Sequence, residues 1–243
     1  VLNLGQGGRG NSHMLNKLTD ALHDKNNNIS IVMILWSGQD RINTVTNSKW
    51  SWNLSDVFHG TDWKHYNTSK KVQFDHSAWI LSELIYTDGK YMSEEFLRTV
   101  YQAQKICGNM PMICMSAFNP IGKHLFRKER LETINKSKYL HLNKIIEMYL
   151  PQQAEESWKK YLQSFLDCSY YDWIEDNVNF LGFPVYPELG GWDVTTGLYK
   201  DYESRKEGKK SPYRISIDDP HPNAKGQEVI ADEFIKAYKE ILS

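Results

Sequence analysis

Two apolar runs limit what this chain can become. Ile29-Ser30-Ile31-Val32-Met33-Ile34-Leu35-Trp36 is almost unbroken by polar residues, and Met110 to Phe118 repeats the pattern. A strand with one face in water alternates apolar and polar side chains, whereas a strand covered on both faces does not. Both runs therefore predict strands buried inside a parallel sheet. Such a sheet needs helices on its faces and long crossovers between its strands.

The rest of the chain supplies those crossovers. Val1 to Leu4 is apolar and reads as a strand, broken by the glycine turn Gly5–Asn11. Asn11 or Ser12 then caps a helix running to about Asp24, with Met14, Leu15, Leu18 and Leu22 on one face. Phe96, Leu97, Val100 and Ala103 predict a second helix over about 93–106. Residues 43–78, rich in Trp, Asn, Ser and His, read as a peripheral excursion, and 121–180 as a largely helical insertion. Residues 182–212 cluster Gly, Pro and Lys and read as loop. Ile230, Phe234, Ala237, Tyr238 and Ile241 line a final helix after Pro222 and Asn223. The alternation of strand and helix predicts one α/β domain over 1–243, a three-layer sandwich around a parallel central sheet.

Composition narrows the function. Lys+Arg 29 against Asp+Glu 30 leaves a net charge of -1, with no basic excess for nucleic acid. No apolar run approaches the ~18 residues of a membrane span. Three cysteines, Cys107, Cys114 and Cys168, are an odd number in no zinc spacing. They read as buried free thiols, which favours a reducing, cytoplasmic setting; a virion component is the alternative. His59, His65 and His76 fall in one segment, but at spacings that match no ligand pattern, so neither a metal nor a cofactor is expected.

In parallel α/β sheets, active sites gather at the carboxyl ends of strands. The loops that matter are therefore Gly5–Asn11, Ser37–Asn43 and Ser116–Pro120, with Asn11, Ser37, Asp40, Arg41 and Asn119 as site-lining candidates. The sharpest local pattern is Asp218-Asp219-Pro220-His221-Pro222, where an aspartate stands three residues before a histidine in a turn between prolines. A serine hydrolase needs a histidine base and a carboxylate that fixes its tautomer, and this spacing lets Asp218 fold back onto one ring nitrogen of His221. The same residues also read as an Asp-Pro turn that caps the last helix and leaves a surface histidine. Glycines after the first strand let a backbone N–H approach a substrate oxygen, as an oxyanion hole requires. The glycines at 5, 7, 8 and 10 fit neither a dinucleotide fingerprint nor a phosphate loop.

These segments, in this order, resemble the SGNH (GDSL-type) hydrolase family, from its second block onward. Asp218-x-x-His221-Pro222 with Gly226 is similar to the family's last block, Asn3-Leu4-Gly5-Gln6-Gly7-Gly8 to its second, and Ser37-Gly38-Gln39-Asp40 to its Gly-x-Asn-Asp block. The Trp-Ser strand end with a nearby Arg looks closest to phage-encoded members. The resemblance implies a flavodoxin-like SGNH fold, His221 and Asp218 as catalytic residues, and the Gly8 amide in the oxyanion hole. Gln39 stands where the family has an asparagine donor. The Gly-Asp-Ser turn of the first block does not occur in residues 1–243. The first strand is therefore expected to be missing from this chain, and with it the nucleophile. The implied activity is hydrolysis of an O-acyl ester on a small molecule or saccharide, without membrane or nucleic-acid partners. The chain as given is expected to be inactive unless another segment supplies that strand. A non-catalytic binding module on the same fold, for instance in a phage particle, is the competing expectation. The aromatic residues Trp50, Trp52, Trp63 and Tyr66 add a hint of a sugar surface.

Overall fold

The computed structural model describes residues 2–4, 10–37, 41–42, 52–53, 90–118, 154–198, 211–216 and 221–243. In chain order its elements are α1 (Asn11–His23), β1 (Val32–Trp36), β2 (Arg41–Ile42), β3 (Trp52–Asn53), α2 (Lys90–Cys107), β4 (Met112–Ser116), α3 (Ala154–Leu166), α4 (Tyr171–Asn177), β5 (Asn179–Leu181) and α5 (Ala224–Leu242). A short 3₁₀ turn at Pro187–Leu189 and a π-helical turn at Val194–Leu198 lie between β5 and α5. The chain divides into two compact units, one of Val1–Met14, Gln39–Thr99 and Pro120–Tyr171, the other of Leu15–Gly38, Val100–Asn119 and Asp172–Ser243.

The second unit holds the parallel sheet, in the order β1-β4-β5. β1 and β4 pair in parallel from Val32 opposite Met112 to Trp36 opposite Ser116, and β4 pairs with β5 from Ile113 opposite Asn179 to Met115 opposite Leu181. This is the α/β architecture with a parallel sheet that the two apolar runs predict. All five residues of β4 are buried, because it has a strand on each edge and cover on each face. β1 leaves Met33 exposed.

Alternation along β4 sends Ile113 and Met115 to one face, where they form the core with Val194, Ile230, Phe234 and Ala237. Ile31, Leu35, Leu181, Leu198, Tyr213, Tyr238 and Ile241 close around it. The stripe predicted for the last helix is thus the face that α5 lays on the sheet. Burying each large side chain there stabilises by about 1.5–3 kcal/mol.

The chain leaves β5 through Gly182, whose φ of 82° suits glycine. Its carbonyl accepts from Val185 N and Trp192 N, each at 2.8 Å. A Cβ at Gly182 would lie 2.2 Å from the Trp192 carbonyl oxygen, so the turn closes tightly and returns the chain toward β4.

In the first unit, β2 and β3 pair antiparallel as a separate two-stranded sheet. Trp52 and Asn53, the described part of the 43–78 excursion, therefore pair away from the parallel sheet. α3 buries Trp158, Tyr161, Leu162 and Phe165 on one face, with Trp158 and Tyr161 stacked at 5.5 Å. Arg98 of α2 pairs with Glu95 at 3.3 Å, an exposed contact of small energetic weight.

Three expectations change. Leu2 to Leu4 form no strand, and Leu2 and Leu4 are exposed. Helix α1 is capped by neither Asn11 nor Ser12: the Gly10 carbonyl accepts from His13 N at 3.1 Å and Met14 N at 3.3 Å, which makes Gly10 the cap. The segment expected to be helical through 180 gives way to β5 at Asn179.

The core position predicts its own test. Ile113→Ala, at 0% exposure, lowers unfolding free energy by about 2–5 kcal/mol in urea titration. Ile235→Ala on the outer face of α5, at 46% exposure, stays within about 0.5 kcal/mol of the parent. Equal effects at the two positions would contradict this core.

Candidate functional site

The carboxyl ends of β1 and β4 are bound together. Ala117 N donates to the Trp36 carbonyl at 2.8 Å, extending the ladder one step beyond the strands. Ser37 follows β1 directly and is buried. Ser116, the last residue of β4, is also buried, and its hydroxyl donates to the Phe118 carbonyl. The Thr195 hydroxyl donates to the Ala117 carbonyl at 3.0 Å across 78 residues of sequence. The backbone of Ala117 is therefore held at its N–H by β1 and at its carbonyl by Thr195.

Thr195 is itself fixed by Asp193, whose side chain is fully buried. One carboxylate oxygen accepts from Thr195 N at 2.7 Å and Thr196 N at 3.1 Å, and the other accepts from the Thr196 hydroxyl at 2.7 Å. Asp193 thus acts as a side-chain cap on the π-helical turn, satisfying amides that a helix start leaves open. Burial pushes its carboxyl above the usual carboxylate range, against the pull of the Thr196 and Thr195 hydrogen bonds. Neither residue was among the candidates. They stand in a Gly- and Pro-rich segment that reads as loop, and the available signal was Asp193-Val194-Thr195-Thr196, an aspartate placed to cap two threonine amides.

His221 sits on a turn held by backbone pairing. Ile215 N donates to the His221 carbonyl at 3.0 Å, Asn223 N donates to the Tyr213 carbonyl at 2.9 Å, and Arg214 forms an antiparallel bridge with Pro222. Asn223 then caps α5, accepting from Gly226 N at 3.1 Å. Its amide nitrogen donates to the carbonyls of Pro212 and Arg214, each at 3.0 Å. One side chain therefore starts the last helix and staples the preceding segment to it. The His221 side chain is exposed, and Arg214, behind it in the bridge, is buried. An open depression of about 460 Å³ lies beside this turn, lined by Ser211, Pro212, Asn223, Ala224 and Lys225.

The reading of this turn as a cap with a surface histidine is met in part, with Asn223 rather than an aspartate as the cap. The predicted site residues are placed unevenly. Asn11 opens α1 and is buried; Arg41 lies in β2; Ser37 and His221 are placed as above. Asp218, Gly8, Gln39, Asp40 and Asn119 lie outside the described residues. The expected contact of His221 with Asp218, and a cleft shared with Gly8 and Gln39, lie outside them too.

No family model, no curated protein and no solved structure matches this chain. Among the described residues, no group of three or more His, Cys, Asp or Glu side chains is placed to hold a metal ion, and no helix is long and apolar enough to cross a membrane.

Two outcomes follow from these contacts. Asn223→Ala removes the cap and the staple together and lowers stability by about 1–3 kcal/mol in urea unfolding, whereas loss of an isolated cap costs about 1. Asp193 makes the second. A carboxyl raised by folding binds its proton more tightly folded than unfolded, so its ionised form opposes folding. Its contribution is most favourable below the ordinary carboxylate range and is lost as pH rises through the elevated folded value. Relative to Asp193→Asn, the parent therefore gains stability as pH falls from neutral toward 4. Paired urea titrations at several pH values check this, and a constant or oppositely sloped difference contradicts it.

Proposed function

We propose that this chain is the greater part of an SGNH-type serine ester hydrolase domain, with the flavodoxin-like three-layer fold of that family, acting on O-acyl esters of a carbohydrate or small molecule. The observation that carries the reading is the setting of His221. It is an exposed histidine on a backbone-pinned turn, directly ahead of the helix that covers a parallel sheet. The sequence places a carboxylate, Asp218, three residues before it.

In this reading His221 is the general base. It takes the hydroxyl proton of the nucleophilic serine as that oxygen attacks the acyl carbonyl, and returns it to the leaving alcohol. A water, activated by the same imidazole, then releases the acid. Asp218 holds the imidazole in the required tautomer and stabilises its charged form. The family resemblance implies the Gly8 amide and the Gln39 side chain as oxyanion donors, and Ser37 and Asn119, in the same unit as His221, as site-lining residues. The Gly-Asp-Ser turn that carries the family's serine has no counterpart in residues 1–243.

A second reading is a binding module on the same architecture, for example in a phage particle. Gln39 favours it, because a longer amide in place of asparagine moves the oxyanion donor away from its usual reach.

The test is hydrolysis of p-nitrophenyl acetate. Residues 1–243 alone turn the ester over no faster than their His221→Ala variant. A polypeptide carrying the natural upstream sequence with a Gly-Asp-Ser turn is active, and His221→Ala there lowers kcat by at least about 10³-fold. An inactive extended polypeptide that still binds acylated saccharide supports the binding module instead. Rapid His221-dependent turnover by residues 1–243 alone would place the nucleophile within them.

A further inference from the structure

Among the described side chains of the second unit, one makes a long-range tie to the loop that leaves the central strand. We infer that Thr195 is a positioning residue for the β4-end loop, acting through the Ala117 carbonyl, and that Asp193 holds it in place for that task. The inference rests on the hydrolase reading for its catalytic consequence and on geometry alone for its structural one.

The geometry leaves Ala117 little freedom. Its N–H is bound to the Trp36 carbonyl at 2.8 Å and its carbonyl to the Thr195 hydroxyl at 3.0 Å. The Ser116 hydroxyl closes the turn onto the Phe118 carbonyl. Two residues beyond Ala117 stands Asn119, a site-lining candidate at a sheet carboxyl end. The direction in which the chain departs from β4 therefore depends on where the Ala117 carbonyl points.

Thr195 is suited to set that direction because it is anchored from below and beside. Val194 is packed into the core against the Ile113 and Met115 face of β4. Asp193 accepts the Thr195 amide at 2.7 Å and fixes the start of the π-helical turn. A buried carboxylate that costs desolvation is retained here, accepting from the Thr195 and Thr196 amides and the Thr196 hydroxyl. A helix start on the surface would be capped as well by a serine or asparagine without that cost. The arrangement makes a relay of fixed contacts from Asp193 through Thr195 to Ala117.

The experiment compares Thr195→Val, which keeps the shape and loses the hydroxyl, with Thr195→Ser, which keeps the hydroxyl. Both are made in residues 1–243 for hydrogen exchange, and in a polypeptide that shows ester turnover for the kinetic comparison. Thr195→Val is expected to lower kcat for p-nitrophenyl acetate about tenfold or more, with KM changed less than kcat and Tm within a few degrees of the parent. Thr195→Ser is expected to restore kcat to within about threefold. Amide hydrogen exchange provides the readout that needs no activity: in Thr195→Val, Ala117 N–H exchanges about tenfold faster while Ile34 and Trp36, which face β4, keep their protection. A parent polypeptide without ester turnover overturns the hydrolase reading and leaves the exchange result to decide this one. Unchanged Ala117 exchange overturns the inference, as does a kcat for Thr195→Val equal to the parent's. So does a uniform loss of protection across β1 and β4, because Thr195 would then merely hold the fold together.

Discussion

The second unit depends on β4 being covered everywhere. With β1 on one edge, β5 on the other and α5 over the Ile113 and Met115 face, Met112–Ser116 has no route to water. Its backbone groups are consequently bound into the ladders, and its side chains lose their contact with solvent for those of their neighbours. The contacts at the strand ends follow from this strand: the register that puts Trp36 opposite Ser116, the extra rung from Ala117, and the core in which Val194 fixes the start of the π-helical turn. A disturbance of β4 is thus transmitted to the loop at its end, because a close-packed interior does not absorb displacement locally.

Much of the fold was legible in the order of residues. β4 is visible as an apolar run because a strand buried on both faces needs no polar partner positions, β1 shows a similar run although it leaves Met33 exposed, and α5 is visible because Ile230, Phe234, Ala237, Tyr238 and Ile241 fall on one helical stripe. β5 was not. Asn179-Phe180-Leu181 is too short to show a period of two, and it directly follows α4, whose helical pattern runs into it. Leu2 and Leu4 misled in the other direction: two leucines spaced by one residue alternate like a strand, yet alternation says nothing about whether a neighbouring strand is present to accept the pairing.

Of the Asp218 and His221 pattern, the described residues place only His221, on the turn ahead of α5. The Asn223 staple was half visible: an asparagine before a helix announces a cap, but its two donors reach back to Pro212 and Arg214 across a loop, and nothing in the spacing encodes that reach. Asp193 and Thr195 were hidden for a similar reason. Their partner lies 78 residues away, and only the pairing of β4 with its neighbours brings the Ala117 carbonyl to the threonine.

The three thiols carry a consequence for the chemistry of the protein outside its site. Cys107, Cys114 and Cys168 are all buried, and none of them is in a disulfide. Burial pushes the Cys114 thiol up to about 12, against the pull of the Trp36 indole beside it, and the Cys107 thiol up to about 11. Oxidants and alkylating agents attack the thiolate, and at neutral pH these two sulfurs hold almost none of it. Reagents that need the thiolate are therefore expected to react slowly with Cys107 and Cys114 while the chain is folded.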